Sequence, residues 1–354
     1  MSRKHMGSDD LEQSRARPRD SDDLEQPRPS TFSIVARDPE TDAVGVAVQS
    51  KFVSVGSVVP FASADAGAVA TQSFANVAYG PDGLELLRDG HDAESVVDEL
   101  TEADDAAEDR QVGVVGQDGS VAAFTGDECF DVAGDVQGEG YTVQGNILEN
   151  DETLPAMADA FESTDAGLPE KLLAALHAGN DAGGDSRGEQ SAAMYVAKPD
   201  GGYDGKNDRW IDVRVDDHEH PIDELERVFR IYDITLLSRE EPDDVRELDG
   251  EVGREVAATL ADLGFYDDDP EPIADEGFGD AEREALEAFR GMNNFENHDL
   301  AVIEDALARG WRDAAEDADA DSDADADADG DGAADGESRM IEAIWHGLQR
   351  LDRK

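Results

Sequence analysis

Apolar and polar positions organise the chain from Thr31 onward. Thr31-Phe32-Ser33-Ile34-Val35-Ala36 predicts a strand. Asp38-Pro39-Glu40-Thr41-Asp42 is turn chemistry, with Pro fixing φ, and Val44 to Val48 predicts the returning strand of a hairpin. A second pair is expected at Val55 to Phe61 and Gly67 to Ser73, joined by a short polar link over 62–66. Apolar residues on both alternations predict a sheet covered on both faces. Leu84, Leu86 and Leu87 after Pro81, and Val96, Val97 and Leu100 in the run from His91, have helical spacing. A hairpin turning at Asp118-Gly119 joins Gln111–Val115 to Val121–Thr125, and Tyr141–Gln144 predicts another strand. Helices follow at Leu154–Phe161 and Leu168–Ala178, the second ending near Gly179, then strands at Ser191–Val196 and Trp210–Val215.

The order is strands, helices, strands, helices, strands. A doubly wound sheet would alternate single strands and helices. This order instead fits an α+β fold of two stacked sheets with helix pairs outside. Beyond residue 222 the period is helical throughout: Leu225, Val228, Phe229 and Tyr232; Val252, Val256, Leu260 and Leu263; Ala285–Phe289; Leu300–Leu307; Met340–Leu351. The expected division is a tail over 1–30, a domain over 31–234 and a small helical domain over 240–354. The tail repeats Ser-Asp-Asp-Leu-Glu-Gln at Ser8 and Ser21 and reads as disordered. An acidic insertion over 313–337 carries 12 Asp and Glu in 25 positions and reads as solvated. Its run from Asp325 to Gly330 opens like a calcium loop but has Gly336 where the bidentate Glu is required.

Charge narrows the partners. With 87 acidic against 29 basic residues, the 354-residue chain carries a formal charge of −58. Nucleic acid and anionic membranes are excluded as nonspecific partners. No run of 18 apolar residues is present, and the Met1 end has no apolar segment of a secretory signal. Scarce Lys, with abundant acids and small residues, resembles cytoplasmic proteins of salt-accumulating halophiles. The single cysteine, Cys129, excludes an internal disulfide, and Asp127-Glu128 beside it disfavour a thiolate. His218 and His220 flank Glu219 without an evident third ligand, so an acidic surface loop is expected and no metal or other cofactor.

No Walker loop, zincin helix, esterase elbow or dinucleotide fingerprint occurs. The ordered region instead begins at a hydroxyl residue, Thr31, at the front of a hairpin. A chain cut before Thr31 would present an α-amine of pKa about 7.7–8, able to take the hydroxyl proton without a histidine. The plain reading is a β-branched strand opener.

Several stretches are distinctive: Thr31 to Asp38; Val69-Ala70-Thr71-Gln72-Ser73; Asn76 with Ala78-Tyr79-Gly80-Pro81; Arg110 to Gly113; Thr142 to Asn146; Gly183 to Ser191; and Asp208 to His218. Together they resemble the domain of unknown function 1028 family over residues 31 to about 234. The resemblance implies a four-layer αββα sandwich of the N-terminal nucleophile (Ntn) hydrolase superfamily, with Thr31 at the nucleophile position. Ser33, on the same strand face, is the reserve. Lys51 resembles a basic residue that sits near the nucleophile in some members, with Gln49 and Ser50 placed to orient it. Gln72, Asn76 and Asn146 are candidate amide donors to an oxyanion. Asp185 and Arg187 form a candidate ion pair or substrate clamp. Arg37 and Asp38 read as a hairpin-closing pair. The C-terminal module, marked by Leu248 to Val252, Leu260 to Phe265, Asn293 to Asn297 and Trp345, resembles a peptidoglycan-binding domain often fused to this family.

Two functions follow. One is an amidohydrolase acting on small amides or peptide-like substrates through Thr31. The other is a non-catalytic small-ligand-binding or assembly protein on the same fold. A small polar molecule and a second copy of the chain are the expected partners.

Overall fold

A computed structural model describes residues 31–130, 132–315 and 332–353. The N-terminal tail, the calcium-loop-like run at 325–330 and most of the acidic insertion lie outside the described residues. Two antiparallel sheets form the first half. The larger holds β1 (Thr31–Asp38), β2 (Ala43–Ser50), β7 (Gly134–Gly138), β8 (Tyr141–Asn146), β9 (Ser191–Ala197) and β10 (Arg209–Val215), ordered β10-β9-β2-β1-β8-β7. The smaller holds β3 (Pro60–Ser63), β4 (Gly67–Ser73), β5 (Arg110–Gly116) and β6 (Val121–Thr125) in sequence order.

The period-2 alternation sorts β1 into two faces. Phe32, Ile34 and Ala36 enter an apolar core beneath α3 (Thr153–Ser163), α4 (Leu168–Asp181) and α5 (Pro221–Leu236). Val35, with Val44, Val46 and Val48 of β2, meets Ala68, Ala70 and Val115 of the smaller sheet. Val69, Val112 and Val114 turn away, toward α1 (Tyr79–Arg88) and α2 (Ala93–Glu102). The sheets thus pack face to face, with helices on both outer sides.

Local chemistry sets the element ends. Asp38 accepts from Glu40 N at 2.9 Å and Thr41 Oγ1 at 2.6 Å, which builds the first turn. Arg37 pairs with Asp42 at 3.0 Å, so the hairpin-closing partner is Asp42 rather than Asp38. Asp92 caps α2 by accepting from Ser95 N at 2.9 Å. Gly179 lies within α4, which runs past the expected stop to Asp181. A Cβ there would meet Met157 Cγ at 2.7 Å, so glycine is what lets α3 and α4 approach.

Three expectations change. Val55–Ser57 is a 3₁₀ turn, and β3 begins only at Pro60 and continues to Ser63. Pro60 has no N–H for a ladder, and β3 is an edge strand, where that loss is tolerated. The strand β7 was not legible, because Gly-Asp-Val-Gln-Gly has one apolar side chain and no alternation. Residues 332–337, expected in the acidic insertion, are helical and open α10 (Gly332–Leu348).

The helical region comprises α6 (Gly250–Asp262), the short α7 (Ile273–Glu276), α8 (Asp280–Met292), α9 (Leu300–Gly310) and α10 around their own core. Among the described residues no helix is long and apolar enough to cross a membrane. The helix α5 serves both regions: Ile222, Leu225 and Phe229 face the sheets, and Ile234 joins the helical core. Its buried Asp233 pairs with Arg239 at 2.5 Å and with Arg353 at 2.8 Å. Arg353 also pairs with Glu170 of α4 and lies over the Phe229 ring. Burial first, and the neighbouring Arg353 second, pull Arg239 down to about 10. His177 of α4 bonds Glu226 of α5 at 2.7 Å, and Arg230 bridges Glu226 to Glu342 of α10.

Arg353→Ala leaves two carboxylates short of a partner in a water-poor interface. It is expected to cost about 3–5 kcal/mol. Thermal denaturation in molar KCl should show a lower midpoint, and a loss under about 1 kcal/mol would contradict the buried-clasp assignment.

Candidate functional site

One end of the sheet stack collects the polar residues. Here β1 begins, β2, β4, β6 and β8 end, and β5 and β9 start. Thr31 is paired in register with Ser50 on one side and Asn146 on the other. The inward positions here are Thr31, Ser33, Ser50, Gln72, Gln111, Gln144 and Asn146, all buried; further along they turn apolar on β1, β2, β4 and β5, while β8 keeps Thr142.

They form one uncharged network. The hydroxyls of Thr31 and Ser50 lie 3.0 Å apart. Ser33 Oγ donates to Gln72 Oε1 at 2.6 Å and accepts from Gln144 Nε2 at 2.5 Å. Gln72 Nε2 donates to Gln111 Oε1 at 2.7 Å and to the Thr31 carbonyl at 3.3 Å. Gln111 Oε1 also accepts from Asn146 Nδ2 at 3.0 Å, while its own amide nitrogen serves Thr125 Oγ1 and the carbonyls of Gly134 and Gly145. Gly113 makes room for this cluster, since a Cβ there would fall 2.2 Å from Gln144 Oε1.

Backbone strain gathers at the same end. Ser54, Ser73, Val132 and Ile147 have φ of 58°, 67°, 55° and 53°. For β-branched Val and Ile this left-handed region is costly, and such strain concentrates at functional sites. Ile147 directly follows Asn146, and Ser73 directly follows Gln72.

Asp185 and Arg187 pair at 3.2 Å, with the carboxylate fully buried. Their object is the backbone of Lys51: Asp185 Oδ2 accepts its N–H at 2.8 Å, and Arg187 Nη2 donates to its carbonyl at 3.4 Å. Lys51 Nζ donates to the Glu189 carbonyl at 2.6 Å. That places the ammonium toward β9, on the far side of β2 from Thr31. Gln49 points to the opposite face from Ser50, into the layer of Phe32, where its amide is buried without a partner among the described residues.

Asn76 is not brought to this cluster. Its Nδ2 donates to Asp104 at 3.0 Å and its Oδ1 accepts from Ala78 N at 3.2 Å. Asp104 also takes Tyr79 Oη at 3.1 Å, Arg110 Nε at 3.0 Å and the Ala106 N–H at 2.9 Å. Burial works against its charge, but these four donors outweigh it and hold the carboxyl at about 2. Asn76, Tyr79 and Asp104 line an acidic hollow of about 610 Å³ between α1 and α2, away from Thr31.

Cys129 Sγ lies 3.3 Å from the Arg110 carbonyl, and burial raises its pKa, so it stays a thiol. His218 and His220 close on each other, the His220 N–H donating to His218 Nδ1 at 3.0 Å. Among the described residues no three His, Cys, Asp or Glu converge as a metal would need.

Gln111 and Gln144 escaped the sequence reading. The signal was present for Gln111, a lone Gln in the Val-rich β5 that demands a partner once buried; it was weaker for Gln144, because Thr142, Gln144 and Asn146 make the whole inward face of β8 polar. Replacing Gln111 by Leu strands two carbonyls and two amide groups. The expected loss is about 2–4 kcal/mol, measurable by urea or thermal unfolding, and a loss below about 1 kcal/mol would deny the network its structural role.

Comparison with known proteins fits this architecture. Residues 31–225 match the model described as "Family of unknown function (DUF1028)". Residues 235–332 match the one described as "Putative peptidoglycan binding domain". A crystal structure of protein SPO2555 from Silicibacter pomeroyi, itself assigned to the DUF1028 family model, is similar at 35% identity. The likeness covers 58% of this chain and 89% of that one, with a TM-score of 0.53. No curated protein matches the chain. The family model spans more than half of the sequence, and the chain belongs to the DUF1028 family.

Proposed function

We propose that residues 31–234 form an Ntn-hydrolase-type αββα domain, and that the protein is an amidohydrolase for small amide or peptide-like substrates. Thr31 is its nucleophile once residues 1–30 are removed. The observation that carries this reading is the setting of the Thr31 hydroxyl. It opens a central strand, meets Ser50 Oγ at 3.0 Å, and among the described residues has no imidazole, carboxylate or ammonium within hydrogen-bond reach. For a hydroxyl so placed, the base is one that the residue itself supplies, its own α-amine, since none is found within reach among the described side chains.

Thr31 Oγ attacks the amide carbon while its proton passes to the α-amine, directly or through a water. The C–N bond then breaks and the ammonium returns a proton to the leaving amine. Water attacks the acyl ester, giving its proton to the amine. The ester bond breaks, and Thr31 Oγ is reprotonated. The transient oxyanion needs donors, and Asn146 Nδ2, across the strand pair from Thr31, is a side-chain candidate, exchanging Gln111 Oε1 for it. Asp185 and Arg187 hold Lys51, and through it Ser50, in place.

The second reading, a non-catalytic small-ligand-binding or assembly protein, is favoured by the internal pairing of the amides. Gln72 and Asn146 both give their nitrogens to Gln111. On either reading we place the protein in the cytoplasm of a salt-accumulating cell, as a homo-oligomer. The helical region is then an accessory module that caps a site or mediates assembly.

Intact mass and N-terminal sequencing of protein purified in molar KCl should find a chain beginning at Thr31. Thr31→Ala should lower amide hydrolysis by at least about 10³-fold, with Thr31→Ser retaining activity. The rate should rise with pH through about 8, as the amine loses its proton. An active enzyme that keeps residues 1–30 excludes the amine base.

A further inference from the structure

Of the 12 phenylalanines, nine pack in the hydrophobic cores or directly against them. The other three, Phe52, Phe74 and Phe130, belong to none. All three sit on loops at the Thr31 end of the sheets. Phe52 lies two residues beyond the end of β2, Phe74 directly follows β4, and Phe130 lies on the connection between β6 and β7. Phe52 is 36% exposed, with Val53 beside it at 50%. Phe74 and Phe130 are half-buried and pack as a tilted pair, ring centroids 5.7 Å apart. Gln72, two residues before Phe74, donates to the Thr31 carbonyl.

Apolar rings outside the core are costly on a chain of charge −58, and a collar of them marks a recognition surface. Their loops are also held firmly. Arg110 Nη1 donates to the Phe74 carbonyl, and Ser191 Oγ to that of Phe52. The strained Ser73, Val132 and Ile147 flank the Phe74–Phe130 pair or the strand end beneath it.

We infer that these rings bind the apolar acyl group of the substrate, so that the site takes amides of aryl or medium-chain alkyl acids rather than of small or charged ones. This rests on Thr31 being the reacting residue. The network beneath the collar is uncharged, which leaves the apolar contact as the main source of acyl selectivity.

The test uses the chain as purified from its host and N-acyl derivatives of one amine: acetyl, hexanoyl, benzoyl and succinyl. Hexanoyl and benzoyl amides should be hydrolysed with kcat/KM at least about 30-fold above acetyl and succinyl. Phe74→Ala and Phe130→Ala should each cut that ratio about fivefold or more. In parallel, calorimetry with the Thr31→Ala protein should show the benzoyl amide binding at least about tenfold tighter than the succinyl amide, a difference lost when Phe74→Ala is added. Hydrolysis without acyl preference overturns this inference and leaves the Thr31 reaction standing. Apolar-selective binding without hydrolysis supports the collar and removes the reaction. Neither preference nor selective binding overturns it outright. So does a shift from dimer to monomer in the Phe130→Ala variant with the acyl ratio unchanged, because the rings would then cover a second copy.

Discussion

Three glutamines hold the two sheets together at one end. Gln72 and Gln111 come from the smaller sheet, Gln144 from the larger, and their amides exchange hydrogen bonds with Ser33, Thr31 and Asn146. Between this end and the opposite one, where Gln117 accepts from Arg37 at 2.6 Å, the sheets meet through Val and Ala, contacts that are nondirectional and tolerate sliding. Amide pairs do not tolerate it, because a shift of one residue would bury unpaired donors and acceptors. The position of Thr31, and of everything built around it, depends on this cluster.

The cluster is neutral in a molecule whose surface is overwhelmingly acidic. Buried carboxylates in this setting would need cations, and the chain has few. Amides and hydroxyls supply direction without charge. The consequence is chemical as well as structural: among the described residues, the Thr31 hydroxyl meets the Ser50 hydroxyl and no ionisable side chain within hydrogen-bond distance. A separate device, the Asp104 hub, uses ionic pairing where Arg110 is available, and it anchors the loop carrying Asn76. Arginine is spent in the same way at the Asp233 clasp between the sheets and the helical region.

The division between regions is less sharp than residue spacing suggested. The helix α5 is amphipathic in two directions, giving Phe229 to the sheets and Ile234 to the helices, so it belongs to both cores. The penultimate residue, Arg353, closes back on α4 and α5. The sheets and the helical region are joined by packing and ion pairs as well as by chain connectivity.

Much of the fold was legible along the chain. Alternation located β1, β2, β4, β5, β6, β8, β9 and β10, and helical spacing located the main helices, because both signals are local and each residue reports its own face. The strand β7 and the start of β3 were not, since a Gly-rich edge strand and a Pro-opened one carry little periodic signal. Thr31, Gln72 and Asn146 were identified as residues worth watching, and the fold gathers all three. Asn76 and the Lys51 ammonium were assigned to the same place and are held elsewhere, by Asp104 and by the Glu189 carbonyl. Residue types and periodicity thus determined the elements, the faces they bury and the hydroxyl at the head of β1. Tertiary structure decided which polar groups meet. Partner choice among buried amides depends on register across two sheets, a long-range geometry that no local spacing encodes.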